Sequence, residues 1–174
     1  MCIRDRVQAL CCTGHGAGLY ALDERGSLLA GRAVASTDQR AAGRARNLAQ
    51  RQGDALYQEV GCRPWSGQPS LLAAELFDAQ GGGHRAIHRL LFAKDYLGFL
   101  LSGAIATDSS DVSTAGLLNL ETGMWSALAF EAAGLADLLP RALPPIVPTG
   151  TVIGRLSPAR AAVCGLPAGL PVVM

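Results

Sequence analysis

The segment from Leu90 to Ser126 most constrains the fold, because its apolar spacing changes several times within a short stretch. Leu90-Leu91-Phe92 is a short apolar run, followed by Lys94-Asp95. Tyr96, Leu97, Leu100 and Leu101 then recur at three- and four-residue spacing, which is one face of a helix ended by Gly103. The polar stretch Thr107-Asp108-Ser109-Ser110-Asp111 comes next, then a short strand over Gly116 to Leu120 and a turn at Glu121-Thr122-Gly123. A helix, a polar hinge, a strand and a turn in this order call for a mixed α/β domain.

The flanking sequence fits that class. Val7 to Cys12 reads as a buried strand, Thr13 to Gly18 as a glycine-rich loop, and Leu19 to Leu22 as a second strand. Asp23-Glu24-Arg25-Gly26 is a hairpin turn, and Leu28 to Val34 the return strand. Gly14, Gly16 and Gly18 lack the G-x-G-x-x-G spacing, and a hairpin follows where a phosphate-binding loop would open a helix. Asp38 is placed to cap a helix running to about Gln52, Gly53-Asp54 to break it, and Ala55 to Val60 to form another. Pro69 fits the first turn of a helix through Ala79, and Gln80 to Gly83 reads as a linker. Past Ser126 come a helix to about Ala133, a proline-rich connection from Leu139 to Pro148, and a strand over Gly150 to Leu156. Ser157 caps a last helix that Gly165 ends.

Bulk properties exclude several functions. The chain has 174 residues, enough for one domain with a real core. Its formal net charge of +1 gives no electrostatic case for nucleic acid or an anionic membrane. No apolar run is long enough to span a bilayer, and signal-peptide architecture is missing. The five cysteines make an odd number without a C-x-x-C pair, so reduced thiols in a cytoplasmic protein are expected. His84 and His88 would share a helix face, but no nearby third and fourth ligands complete a metal site. Residues 1–6 resemble translated adapter sequence and are set aside as a non-native leader. Leu170 to Val173 reads as the opening of a buried strand, so residues 7–174 are expected to be part of a larger protein.

The K-D-Y-L segment, with Gly103, Thr107-Asp108 and Asp111-x-Ser113 after it, resembles the FGGY family of sugar kinases. Further resemblances run along the chain. Gly14-His15-Gly16-Ala17-Gly18-Leu19-Tyr20 and Ser36-Thr37-Asp38-Gln39-Arg40-Ala41 are similar to the branch that includes L-xylulose and erythritol kinases. Gly154 to Pro158 and Gly165 to Val173 are similar to the family's G-x-[LV]-[ST]-P and G-L-x-x-G-[TL]-P-V-V stretches.

The resemblance implies a ribonuclease H-like, actin/hexokinase-type mixed sheet with flanking helices, the first domain of a two-domain kinase. It implies ATP with Mg²⁺ as co-substrate, held mostly by a second domain, and a sugar or polyol in the cleft. Homo-oligomerisation is left open. The family's D-x-G-T hairpin would precede Val7, and its general-base aspartate would follow Met174. Asp108 and Asp111 are therefore read as helix caps and loop hydrogen-bonders, and Lys94-Asp95 as a helix-start charge pair. Ala17 stands where the branch usually has a polar residue, and the family's first signature is not met over Trp65 to Glu75.

By the same resemblance the substrate-binding candidates are His15, Gly16, Asp38, Arg40, Trp65 and Gln68. Each has a plainer alternative. His15 could stabilise its own loop, Asp38 could cap a helix, Arg40 could pair with Asp38, and Trp65 could be core. Two other functions compete with the kinase. One is a non-catalytic sugar-binding module of the same fold. The other is a hydrolase using Cys11 or Cys12 with His15, which an apolar strand disfavours by raising the thiol pKa.

Overall fold

The structure, a computed structural model, describes residues 6–78 and 83–174. Its strands fall into two sheets. In the larger, β1 (Leu10–Cys11) pairs parallel with β5 (Pro171–Val173), which pairs antiparallel with β4 (Val152–Arg155). In the smaller, β2 (Tyr20–Leu22) pairs antiparallel with β3 (Arg89–Leu91). The hairpin return survives only as single bridges, Leu22 to Leu28 and Leu19 to Val34. A 3-10 turn over Leu29–Gly31 lifts the chain out of the ladder between them. The strand expected over Gly116 to Leu120 is likewise one bridge, Leu118 to Trp125.

Helix ends follow local chemistry closely. Helix α1 (Ala42–Val60) ends at Gly61, whose φ of 68° is left-handed and whose amide donates to the Tyr57 carbonyl. Pro69 opens α2 (Pro69–Ala73), which continues as a π-helical turn over Ala74–Asp78. The end of that helix at Ala79 and the linker from Gln80 lie outside the described residues, as do residues 1–5 of the leader. Helix α3 (Ala93–Ser102) starts where the Asp95 carboxylate accepts the Phe92 amide and stops at left-handed Gly103. Asp108 caps α4 (Ser109–Thr114), Ser126 caps α5 (Ala127–Ala132), and Ser157 caps α6 (Pro158–Cys164).

Three expectations are corrected. Asp38 does not cap α1. The helix begins at Ala42, and the Asp38 carboxylate instead accepts the Arg40 amide two residues on. Gly53-Asp54 does not break α1. Gly53 lies on the buried face of the helix with Ala45, Leu48, Leu56 and Val60. Packing of that face outweighs glycine's low helix propensity. Finally, β1 is not buried: Leu10 is half-exposed and Cys11 exposed.

The core lies under β2 and β3. Leu19, Ala21, Leu48, Leu56, Leu71, Leu72, Leu90, Phe92, Leu117 and Phe130 pack in one apolar cluster. Each leucine or phenylalanine among them contributes about 1.5–3 kcal/mol on burial. Trp125 joins from the side, its ring 6.1 Å from that of Phe92 and 6.0 Å from that of Phe130. Its indole N–H donates to the Pro144 carbonyl at 2.9 Å. The Ser126 hydroxyl also donates to Glu59 at 2.6 Å, tying α5 to α1.

Candidate functional site

Three loop segments at the ends of these elements carry the sequence candidates. The first, Thr13 to Gly18, joins β1 to β2 and is pressed between two helices. A Cβ on Gly14 would lie 2.8 Å from the Ala93 Cβ at the start of α3. One on Gly16 would lie 2.7 Å from the Thr114 methyl of α4. The glycines therefore admit neighbouring helices, and no helix opens after them to cradle a phosphate. His15 is exposed, with its ring 6.3 Å from that of Tyr20 and its Nε2 folded over Gly18.

The second segment holds Asp38 and Arg40, which form a fork. The Arg40 Nε reaches both carboxylate oxygens at 3.0 Å, and Nη2 reaches Oδ2 at 2.7 Å. These side-chain bonds, with the Arg40 amide, hold the Asp38 carboxyl below its ordinary value. The third segment carries Trp65 and Gln68. Trp65 is half-buried against the core, as its plainer alternative expects. Gln68 is buried; its Nε2 donates to the Gly116 carbonyl at 3.1 Å while Oε1 has no partner.

Two residues that the sequence did not single out hold these segments together. A Cβ on Gly67 would fall 1.7 Å from the Ser36 carbonyl oxygen, so only glycine lets the Trp65 loop rest on the Asp38 loop. The Ser66 hydroxyl adds a bond to Gln39 at 3.0 Å. The paired Leu19 and Val34 amides and carbonyls then bring the Asp38 loop beside the His15 loop. These contacts link the loops that carry the six candidates into one strip of backbone. A separate groove between α1, α2 and α5, lined by Arg44, Asn47, Arg51 and Ala132, contains none of them.

Behind the strip sits a charged cluster that the sequence left as separate pairs. Lys94 Nζ lies 2.6 Å from Asp95, 3.6 Å from Asp108 and 3.7 Å from Asp111. Burial pushes Asp95 and Asp111 up despite that amine. Burial also acts on Asp108, but the Ser110 hydroxyl, the Asp111 amide, Lys94 and Thr149 together bring it below its ordinary value. One signal was available: Lys94 is the single lysine, set among carboxylates in an otherwise apolar segment. The cap role expected for Asp108 and the helix-start pairing expected for Lys94 with Asp95 hold; Asp111 caps no helix but does bond a loop, at the Ala17 amide, and the shared amine is the addition.

His84, His88 and the cysteines of β1 and its end offer little chemistry. His84 stands in a 3-10 turn and His88 just before β3, so they share no helix face. His84 Nε2 lies 3.4 Å from Asp137. Burial pushes the Cys12 thiol up, and Cys11 beside it adds to the effect, so Cys12 is not an activated thiolate for His15 to assist.

The fold and site define an α/β domain of the ribonuclease H-like, actin/hexokinase type. It superposes on xylulose kinase from Rhodospirillum rubrum with a TM-score of 0.83, at 27% identity over 95% of this chain and 33% of that one. Against gluconate kinase from Lactobacillus acidophilus the TM-score is 0.85 at 19% identity, over 96% of this chain and 33% of that one. Residues 3–174 match the FGGY family of carbohydrate kinases, N-terminal domain, and the chain belongs to this family. It is 28% identical over 169 residues to a probable L-xylulose kinase from Pasteurella multocida, covering 96% of this chain and 34% of that protein. It is 40% identical over 92 residues to autoinducer-2 kinase from Escherichia coli K12, covering 52% of this chain and 17% of that protein. The chain thus spans about a third of the length of the relatives it matches along its whole extent. Among the described residues, no helix is long and apolar enough to cross a membrane.

Proposed function

We propose that this chain supplies the acceptor-binding part of an ATP-dependent carbohydrate kinase, which transfers the γ-phosphoryl group to a hydroxyl of a ketopentose or polyol. The observation that carries the reading is the linking of three loops, Thr13 to Gly18, the Asp38–Arg40 loop and the Trp65–Gln68 loop, which between them carry His15, Gly16, Asp38, Arg40, Trp65 and Gln68. An exposed imidazole, an ion-paired carboxylate and a half-buried indole are groups that bind a polyhydroxylated molecule. The imidazole and guanidinium donate to hydroxyl oxygens and the indole covers the apolar face, while buried Gln68 ties its loop to the Gly116 carbonyl.

ATP and Mg²⁺ belong to the whole enzyme in this reading. No group of three or more His, Cys, Asp or Glu among the described residues could hold a metal ion, and Asp95, Asp108 and Asp111 are already gathered around Lys94. No step is assigned to them. What this chain contributes is placement: phosphoryl transfer depends chiefly on positioning the nucleophile and neutralising charge.

The test is an ADP-release assay on the intact protein with a panel of pentuloses, tetritols and aldonates. His15→Ala and Asp38→Ala should each lower kcat/KM for the acceptor roughly tenfold to a hundredfold, the worth of one charged or well-placed hydrogen bond, and leave KM for ATP near its starting value. Equal loss of efficiency toward ATP and acceptor would overturn the assignment. Acceptor binding by calorimetry without any turnover would instead favour the non-catalytic binding module.

A further inference from the structure

The strip has a buried support that none of the six candidates provides. Asp111, on α4, is 6% exposed, and its Oδ1 accepts the Ala17 amide at 3.0 Å across 94 residues of sequence. Ala17 lies between Gly16 and Gly18 with a φ of 58°, in the left-handed region where a residue bearing a Cβ is strained. Its side chain is nonetheless fully buried, so the loop cannot relax by turning it out to solvent. Something must hold the backbone there. Among the described residues, the only hydrogen bond that the Ala17 amide donates is the one to Asp111. The Thr114 methyl, one turn further along α4, closes on Gly16.

Asp111 is itself fixed. Its Oδ2 lies 3.7 Å from Lys94 Nζ, and that amine also holds Asp95, the residue that accepts the first amide of α3. Asp108 caps α4 and reaches the same amine at 3.6 Å. One ammonium group therefore locks the starts of α3 and α4 together, and Asp111 passes that rigidity to the loop.

We propose that Asp111 is a positioning residue: through the Ala17 amide it sets the conformation of Thr13 to Gly18, and with it the place from which His15 and the Gly16 backbone meet the acceptor. This rests on the reading of the strip as an acceptor site. The plainer role for Asp111, an acidic residue in the first turn of α4, would stabilise the helix and leave the loop alone.

Two readouts on the intact protein separate these. The first is hydrogen–deuterium exchange of the peptide spanning Thr13 to Leu19, which needs no turnover. The second is KM for acceptor against KM for ATP. Asp111→Ala should raise exchange of that peptide at least tenfold and raise acceptor KM about tenfold, with ATP KM unchanged. Asp111→Asn, whose Oδ1 can still accept the amide, should recover most of both effects. Ser110→Ala, which disturbs α4 at the Asp108 hydrogen bond without touching the loop, is the control. Unchanged loop exchange in Asp111→Ala, or the same change in Ser110→Ala, would overturn the proposal. Should Asp111→Ala not fold, Asp111→Asn with no shift in loop exchange and a raised acceptor KM would overturn it equally. If no acceptor is turned over by the unmodified protein, the acceptor reading fails, and loop exchange still decides what Asp111 does.

Discussion

At the scale of single residues, the structure separates groups that look alike in the sequence. Asp38 and Asp108 both precede a helix, yet only Asp108 caps one; Asp38 is turned aside by the Arg40 fork. The fork predicts a measurable titration. Arg40→Ala removes the guanidinium, so the Asp38 carboxyl, followed by carbon NMR, should rise toward the ordinary value of 3.8. The stability effect should be small, within about 1 kcal/mol, because the pair is exposed and screened. Its sign is fixed by the lowered pKa. The contribution is present above the ordinary carboxylate range and lost as pH falls through the folded value. An Asp38 titration that Arg40→Ala leaves in place would show that the fork does not form in solution.

At the scale of elements, the helix boundaries were legible and the contacts between helices were not. Gly61, Gly103 and Gly165 stop helices, Pro69 starts one, and Ser126 and Ser157 cap them, each through bonds within a turn or so of sequence. The misread boundary at Gly53 depends on burial of the face of α1 that carries it, which only the tertiary fold supplies. The site divides in the same way. Its loops could be picked out by resemblance, but the seat of Gly67 on Ser36 and the reach of Asp111 to Ala17 are long-range facts that no local pattern encodes. Helix α4 is where the two kinds of information meet. Asp108→Ala should remove its N-cap at a cost of about 1 kcal/mol, and more through the lost Lys94, Ser110 and Thr149 contacts. Because the Asp108 pKa is lowered on folding, that deficit should be full above the ordinary carboxylate range and shrink as pH falls through the folded value. Denaturant midpoints measured at neutral and acid pH test this; a deficit that grew toward acid would contradict it.

At the scale of the whole molecule, the two sheets are not equally supported. The large apolar cluster lies under β2 and β3 and includes residues of α1, α2, α4 and α5, but none from β1, β4 or β5. The three-stranded sheet rests chiefly on α3, which approaches β4 closely: a Cβ on Gly98 would lie 3.1 Å from the Ile153 Cδ1, and one on Gly154 2.8 Å from Ser102. Val172 and Met174 are buried, but β1 is half-exposed and the exposed edge of β4 includes Val152. Regions with few buried apolar neighbours open at lower free energy than the core. The joint between the two parts is polar, made by Lys94 with its carboxylates and by the Thr149 hydroxyl on Asp108. Peptides covering Leu10–Cys11, Val152–Arg155 and Pro171–Val173 should therefore exchange at least tenfold faster than those covering Tyr20–Leu22 and Arg89–Leu91, a gap of about 1.4 kcal/mol. Partial denaturant should widen access to the first set before the second, if the three-stranded sheet opens as a unit while the core stays closed. Equal exchange of both sets, with the same denaturant dependence, would mean that the polar joint couples the sheets into one cooperative fold.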